Sequence, residues 1–159
     1  MTGEKEQKHE QDRTRCESIF SATEENVAFA RAAVSAFLLP LNPTLEELED
    51  VRTAVSEAVT NAILHGYEGK GGTVRLSAEL YEGGRAVLEV VDCGVGIEDV
   101  EKAREPLYTS RPDMERSGMG FTVMETFMDA VSVRSRLGHG TTVRMEKQLG
   151  RESPREKEP

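Results

Sequence analysis

Tryptophan is missing from this 159-residue chain, and Phe and Tyr together bring the aromatic content to only 5%. An interior with so few large rings has to be filled by short Val, Leu and Ala runs, which one domain of this length can do. Cysteine is scarce as well: Cys16 and Cys93 are too few for the disulfide framework of a small secreted fold, so a reducing compartment is expected. No apolar run approaches the length that spans a bilayer. The stretch from Met1 to Arg15 is charged throughout and lacks the apolar centre of a signal peptide, so a cytoplasmic protein is the expectation. Surplus positive charge is also lacking. The net charge of −9 argues against a surface for nucleic acid or an anionic membrane.

What is present divides simply. Residues 1–15 are almost wholly polar and are expected to be disordered, as is the tail 150–159; residues 16–149 read as one compact domain without repeats. Thr23 ahead of Glu24 and Glu25 marks a helix start, and Val27, Ala30, Val34 and Phe37 recur at helical spacing up to Pro40. Thr44-Leu-Glu-Glu47 reads as a capping box. It opens a second helix whose core stripe, Leu45, Leu48, Val51, Val55, Ala58, Val59 and Ala62, keeps the 3.6-residue period to an end near Gly66. The pattern then changes to period two. Val74, Leu76, Ala78 and Leu80 predict a half-buried strand, Glu82-Gly-Gly84 a hairpin turn, and Ala86, Leu88 and Val90 a second strand ending at Asp92. A short helix over 98–104, another over 118–129, and strands over 131–136 and 141–147 complete the chain. Strands grouped after helices, with two hairpins, predict an α+β two-layer sandwich, with helices on one face of a mixed, mainly antiparallel sheet.

Three segments carry chemistry. Glu57 and Asn61 lie four residues apart on the second helix and share a face, with Thr60 beside them. Burying a carboxylate without a partner is costly, and such a pair suits the activation of a hydroxyl and the holding of a magnesium ion. A surface helix with a solvated polar face explains the same residues equally well at this point. Asp92-Cys-Gly-Val-Gly-Ile97 follows a strand directly. An Asp on the face of Leu88 and Val90 points to the core, where it can accept a hydrogen bond from a ligand amine such as that of adenine, and Gly94 and Gly96 let a ligand approach the backbone. Asp-x-Gly-x-Gly is also a common loop. Arg116-Ser-Gly-Met-Gly-Phe121 opens a helix, where backbone N–H groups suit a phosphate and Arg116 can stabilise transferring charge; glycines near a helix cap are frequent in any case. Pro106-Leu-Tyr-Thr-Ser-Arg-Pro112 reads as a loop able to close over a ligand. Gly66-Tyr-Glu-Gly-Lys-Gly-Gly72 lacks the spacing of a phosphate loop. His9, His65 and His139 have no metal-ligand spacing, and neither a nucleophile elbow nor a zinc pattern occurs.

The order Glu-x-x-x-Asn on a helix, Asp-x-Gly-x-Gly after a strand, then Gly-x-Gly at a helix start resembles the ATP-binding fold of gyrase, MutL and sensor histidine kinases, the GHKL superfamily. Ser56-Glu-Ala-Val-Thr-Asn-Ala-Ile63, Asp92–Ile97 and Glu115–Phe121 look like the bacterial anti-sigma-factor serine kinases. Pro106–Pro112 and Phe127-Met-Asp129 are most like the sporulation branch, the anti-sigma-F factors, and the resemblance covers about residues 18–148. It implies a cytoplasmic homodimer that binds ATP or ADP with magnesium and holds a sporulation sigma factor inactive. It also implies phosphorylation of an anti-anti-sigma protein on serine, without direct contact to nucleic acid or membrane. By matching position, Glu57 is implied as general base, Asn61 as magnesium ligand and Asp92 as the adenine contact. Gly94, Gly96, Ser117, Gly118, Met119, Gly120 and Phe121 are implied to line the nucleotide, with Thr109 and Ser110 in the lid and Arg116 near the γ-phosphate. Thr141 matches a threonine beside the base, and Arg31 a partner-binding position. Cys93 stands where the family often has a polar residue, residues 1–15 are longer than expected, and the turn at 68–72 is shorter. Two other readings remain open: an ATPase in which Glu57 activates water, and a nucleotide-dependent binding module of the general-stress type.

Overall fold

Period-two patterning and two tight turns produce a single antiparallel sheet. The computed structural model describes residues 13–106 and 120–150. Its strands are β1 (Arg13–Ser21), β2 (Thr73–Tyr81), β3 (Arg85–Asp92), β4 (Ala130–Arg136) and β5 (Gly140–Gln148), in the order β1-β2-β3-β5-β4. Every neighbouring pair among them is antiparallel, so the expected mixed sheet is antiparallel throughout the described residues. Val74, Leu76, Ala78, Leu80, Ala86, Leu88 and Val90 turn to the core as the alternation requires. The opposite face is charged: Arg144 lies 2.8 Å from Glu146 along β5 and 3.7 Å from Glu89 on the neighbouring β3.

Helices α1 (Glu24–Leu38) and α2 (Leu45–Asn61) cover the core face, with the short α3 (Val100–Ala103) and α4 (Gly120–Phe127) at its end. The capping box of α2 forms as the sequence predicts. Thr44 Oγ1 accepts from the Glu47 N–H at 3.1 Å, and the Glu47 carboxylate accepts from the Thr44 N–H at 2.9 Å. Val51, Val55, Ala58 and Val59 are buried against the sheet, each Val contributing about 1.5–3 kcal/mol relative to exposure. Lys147 on β5 ties the layers together, donating to the Phe127 carbonyl at 2.6 Å and lying 3.4 Å from the Asp50 carboxylate. Among the described residues no helix is long and apolar enough to cross a membrane.

Four expectations change. Strand β1 was not foreseen, and it begins inside the segment expected to be disordered; its core-facing positions, Thr14, Cys16, Ser18 and Phe20, are too polar to register as a strand. At the other boundary, the Gly150 N–H donates to Glu47, so the expected tail begins with an anchored residue. Leu45, the first residue of α2, is 84% exposed and does not join the core stripe. The helix also does not continue regularly to Gly66: Ala62–Gly66 is a π-helical turn, closed by the Tyr67 N–H donating to the Ala62 carbonyl at 2.9 Å.

Candidate active site

Asp92 is the last residue of β3, paired across the sheet with Thr141 of β5 and Val74 of β2. The pleat turns its carboxylate inward, and the residue is only 6% exposed. Burial raises its pKa from 3.8, while backbone N–H groups of Gly94 and Thr141 oppose the shift by holding the charged form. The Gly94 bond is 2.9 Å long.

The surrounding backbone is packed too closely for side chains. A methyl group on Gly66 would sit 2.7 Å from the Asp92 carboxylate, and one on Gly94 only 1.9 Å from the Gly66 carbonyl oxygen. That carbonyl accepts from the Val95 N–H at 2.8 Å, locking the loop after β3 onto the π turn. Gly140 has φ +92°, and a methyl group on it would collide with the Asp92 carbonyl. The Tyr67 hydroxyl accepts from the Cys93 N–H at 2.8 Å and donates to the Thr73 carbonyl, fixing the loop from the other side.

Asp92 opens onto a cavity of about 990 Å³. Its walls come from the end of α2, the π turn, the loop after β3, α3, the start of α4 and the β4–β5 hairpin. Asn61, Asp92, Gly96, Gly120, Phe121 and Thr141 all line it, so six of the expected nucleotide-binding residues share one space. Gly94 does not line it; its place is the close contact with Gly66. Glu57 is also absent from the lining but stands directly behind it. A methyl group on Gly120 would lie 3.2 Å from the Asn61 carboxamide and 3.4 Å from Glu57 Oε2. The first residue of α4 therefore meets both polar residues of the α2 pair, which are half-buried where α2 faces α4.

Arg31 lies on α1, away from the cavity. Thr109, Ser110, Arg116, Ser117, Gly118 and Met119 fall outside the described residues, as does the loop expected to close over a ligand beyond Pro106. The helix expected from 118 is described from Gly120. Two residues of the site were not anticipated. Gly66 reads in sequence as a plain helix stop, although its place at the end of Asn-Ala-Ile-Leu-His-Gly was the available signal. Ser135, an unremarked strand serine, accepts from the Ile97 N–H at 2.7 Å and joins the Gly140 carbonyl and the Thr141 hydroxyl.

The donor set can be tested against the groups the family would bring. Backbone bare of side chains beside a buried carboxylate suits a flat ring bearing an amine. Asn61 offers one neutral oxygen close to the Glu57 carboxylate, a hard-oxygen pair that fits magnesium completed by phosphate oxygens and water. Among the described residues no cluster of three or more His, Cys, Asp or Glu could hold a metal by itself.

Residues 20–147 match the family described as histidine kinase-like ATPase domain. The anti-sigma F factor of Clostridium acetobutylicum is 59% identical over 130 residues, spanning 82% of this chain and 90% of the relative. That of Pasteuria penetrans is 57% identical over 139 residues, spanning 86% of this chain and 92% of the relative. Among solved structures, the RsbU and RsbW domains of a Mycobacterium tuberculosis protein superpose with a TM-score of 0.61 at 17% identity. That match covers 88% of this chain and 34% of the other, and it is a likeness of fold. The chain belongs to the histidine kinase-like ATPase domain family and, within it, to the anti-sigma F factor family.

Proposed function

We propose that this protein uses Mg-ATP to phosphorylate a serine of an anti-anti-sigma protein, and that it holds a sporulation sigma factor inactive until that antagonist frees it. One observation carries the chemical part. Gly120, the first described residue of α4, lies against Glu57 and Asn61, beside a cavity that Gly120, Asn61 and Asp92 all line. A purine seated with its amine on Asp92 would direct its phosphates toward Asn61 and α4. The relatives named anti-sigma F factors support the sigma-factor partner. Action in the cytoplasm as a homodimer, with Arg31 on the partner-binding face, belongs to the same reading.

Phosphoryl transfer asks the protein chiefly for positioning and charge neutralisation. Asp92 accepts from the adenine amine and sets the register of the nucleotide. Asn61 would hold magnesium, whose charge, when it is bound, would offset that of the phosphates. The serine oxygen attacks the γ-phosphorus in line, the bond to the ADP oxygen breaks, and Glu57 takes the serine proton. Arg116 and the glycines at 118 and 120 belong to the phosphate end in this scheme.

Incubation of the purified protein with γ-labelled ATP, magnesium and a candidate anti-anti-sigma protein tests the proposal. Stoichiometric label on a partner serine is the expected result. Label released only to water would replace the kinase with an ATPase, and bound but unconsumed ATP would reduce the protein to a nucleotide-dependent binding module.

A further inference from the structure

Ser135 is the next-to-last residue of β4, beside the turn of the β4–β5 hairpin that contributes Leu137 and Thr141 to the cavity wall. Its hydroxyl meets three partners from two other segments: the Ile97 N–H at 2.7 Å, the Gly140 carbonyl at 3.0 Å and the Thr141 hydroxyl at 2.8 Å. A serine hydroxyl has one proton and two lone pairs. The Ile97 N–H occupies one lone pair, and the Gly140 carbonyl can only accept, so it takes the proton. All three contacts are then satisfied in one way: the Thr141 hydroxyl donates into the remaining lone pair. That arrangement uses the Thr141 proton inside the protein and leaves its oxygen as an acceptor toward the cavity it lines.

The same hydroxyl holds the backbone around Asp92. Gly140 lies so close to the Asp92 carbonyl that a methyl group on it would not fit, and the Thr141 N–H bonds the Asp92 carboxylate. Ile97 lies on the loop that follows Asp92. Ser135 therefore braces both sides of the carboxylate without touching the cavity's contents.

We infer that Ser135 is the positioning residue for purine recognition: it fixes Asp92 and Thr141 as a pair of acceptors that selects a base carrying an exocyclic amine. The inference rests on the nucleotide reading of the cavity and names the residue that gives that reading its base selectivity. Its role is exerted through Thr141, Gly140 and Ile97, so it must be separated from a role in stability alone.

The experiment measures calorimetric affinities of the full chain for ATP and for purine riboside triphosphate, which lacks the 6-amino group. Wild type, Ser135→Ala, Ser135→Val and Ser135→Thr are compared, each with its thermal midpoint. The Ala and Val variants should lose about tenfold in ATP affinity, the scale of one lost hydrogen bond that leaves its partner unpaired. Their affinity for the deamino analogue should change far less, so the preference for ATP collapses; Thr, which keeps the hydroxyl, should restore it. An equal loss for both ligands, or an unchanged ratio in the Ala and Val variants, would overturn the inference while leaving the nucleotide site standing. A wild-type protein that binds neither ligand would remove the nucleotide reading, and this inference with it.

Discussion

The surroundings of Asp92 and of Gly120, which line the same cavity, are built on opposite terms. Around Asp92, backbone meets backbone: a methyl group on Gly94 would come within 1.9 Å of the Gly66 carbonyl, and one on Gly140 within 2.0 Å of the Asp92 carbonyl. Beside Asn61, the nearest atoms that the same imaginary methyl on Gly120 would meet outside its own helix are side-chain atoms of Asn61 and Glu57, at 3.2–3.4 Å. On the proposed function, the difference would separate recognition from chemistry. A rigid, interlocked wall can read a planar base, whereas the groups that would move charge stand on long side chains that adjust to what arrives.

The largest effect expected is on rate. Glu57→Ala should lower phosphate transfer to the partner serine by about 10²–10⁴-fold, the range of a lost general base, while ATP binding by calorimetry stays near wild type. Transfer retained at the wild-type rate would remove Glu57 from that role. The paired glycine variants test the contrast itself. Gly94→Ala should destabilise the protein by about 2–4 kcal/mol, because backbone and not a flexible side chain must give way; Gly120→Ala should cost about 1 kcal/mol or less by denaturant titration. If the two variants unfold alike, the difference between the two surroundings is not real.

Asp92→Asn comes next. It should weaken ATP binding by about tenfold without lowering the thermal midpoint, because it removes a carboxylate whose burial opposes ionisation. The sign follows from the raised pKa. The folded state holds the proton to higher pH than the unfolded chain, so this group's penalty on stability is absent below 3.8. It is complete once pH passes the folded-state value. ATP affinity, which needs the carboxylate charged, should fall on acidification from a pH above the ordinary carboxylate range. A wild type whose affinity holds down to that range would show that Asp92 is not the base contact. The smallest effect belongs to Arg104, whose side chain pairs with Glu125 and also donates to the Val131 carbonyl, linking α3 to α4 and β4. Both side chains are about a third exposed, so Arg104→Ala should cost only about 0.5 kcal/mol of stability.

Much of the site was legible because its residues announce themselves locally. The capping box of α2, the spacing of Glu57 and Asn61, and the alternation that turns Asp92 inward depend only on neighbours within one or two turns. What stayed hidden depends on distant partners. Ser135 meets Ile97, 38 residues away in the chain, and Gly66 matters because Gly94 lies on it. Strand β1 was hidden for another reason: as an edge strand it presents Thr14, Cys16 and Ser18 where an inner strand would carry Val or Leu. Leu45 misled in the opposite direction, since an apolar residue in a first turn keeps the helical period whether or not anything covers it.

The π turn at Ala62–Gly66 has a consequence for the length of the chain. An α-helix carried straight on from Asn61 would advance 100° per residue, whereas the wider turn reaches the same height with a residue to spare. Deleting one residue there would let the hydrogen bonds close into an ordinary helix, and Gly66 would swing by about 100° away from Asp92. The shortened protein would have the more regular helix and no seat for the loop after β3. Local order and global fit pull against each other at this point of the backbone, and the irregular turn is how the fold resolves them.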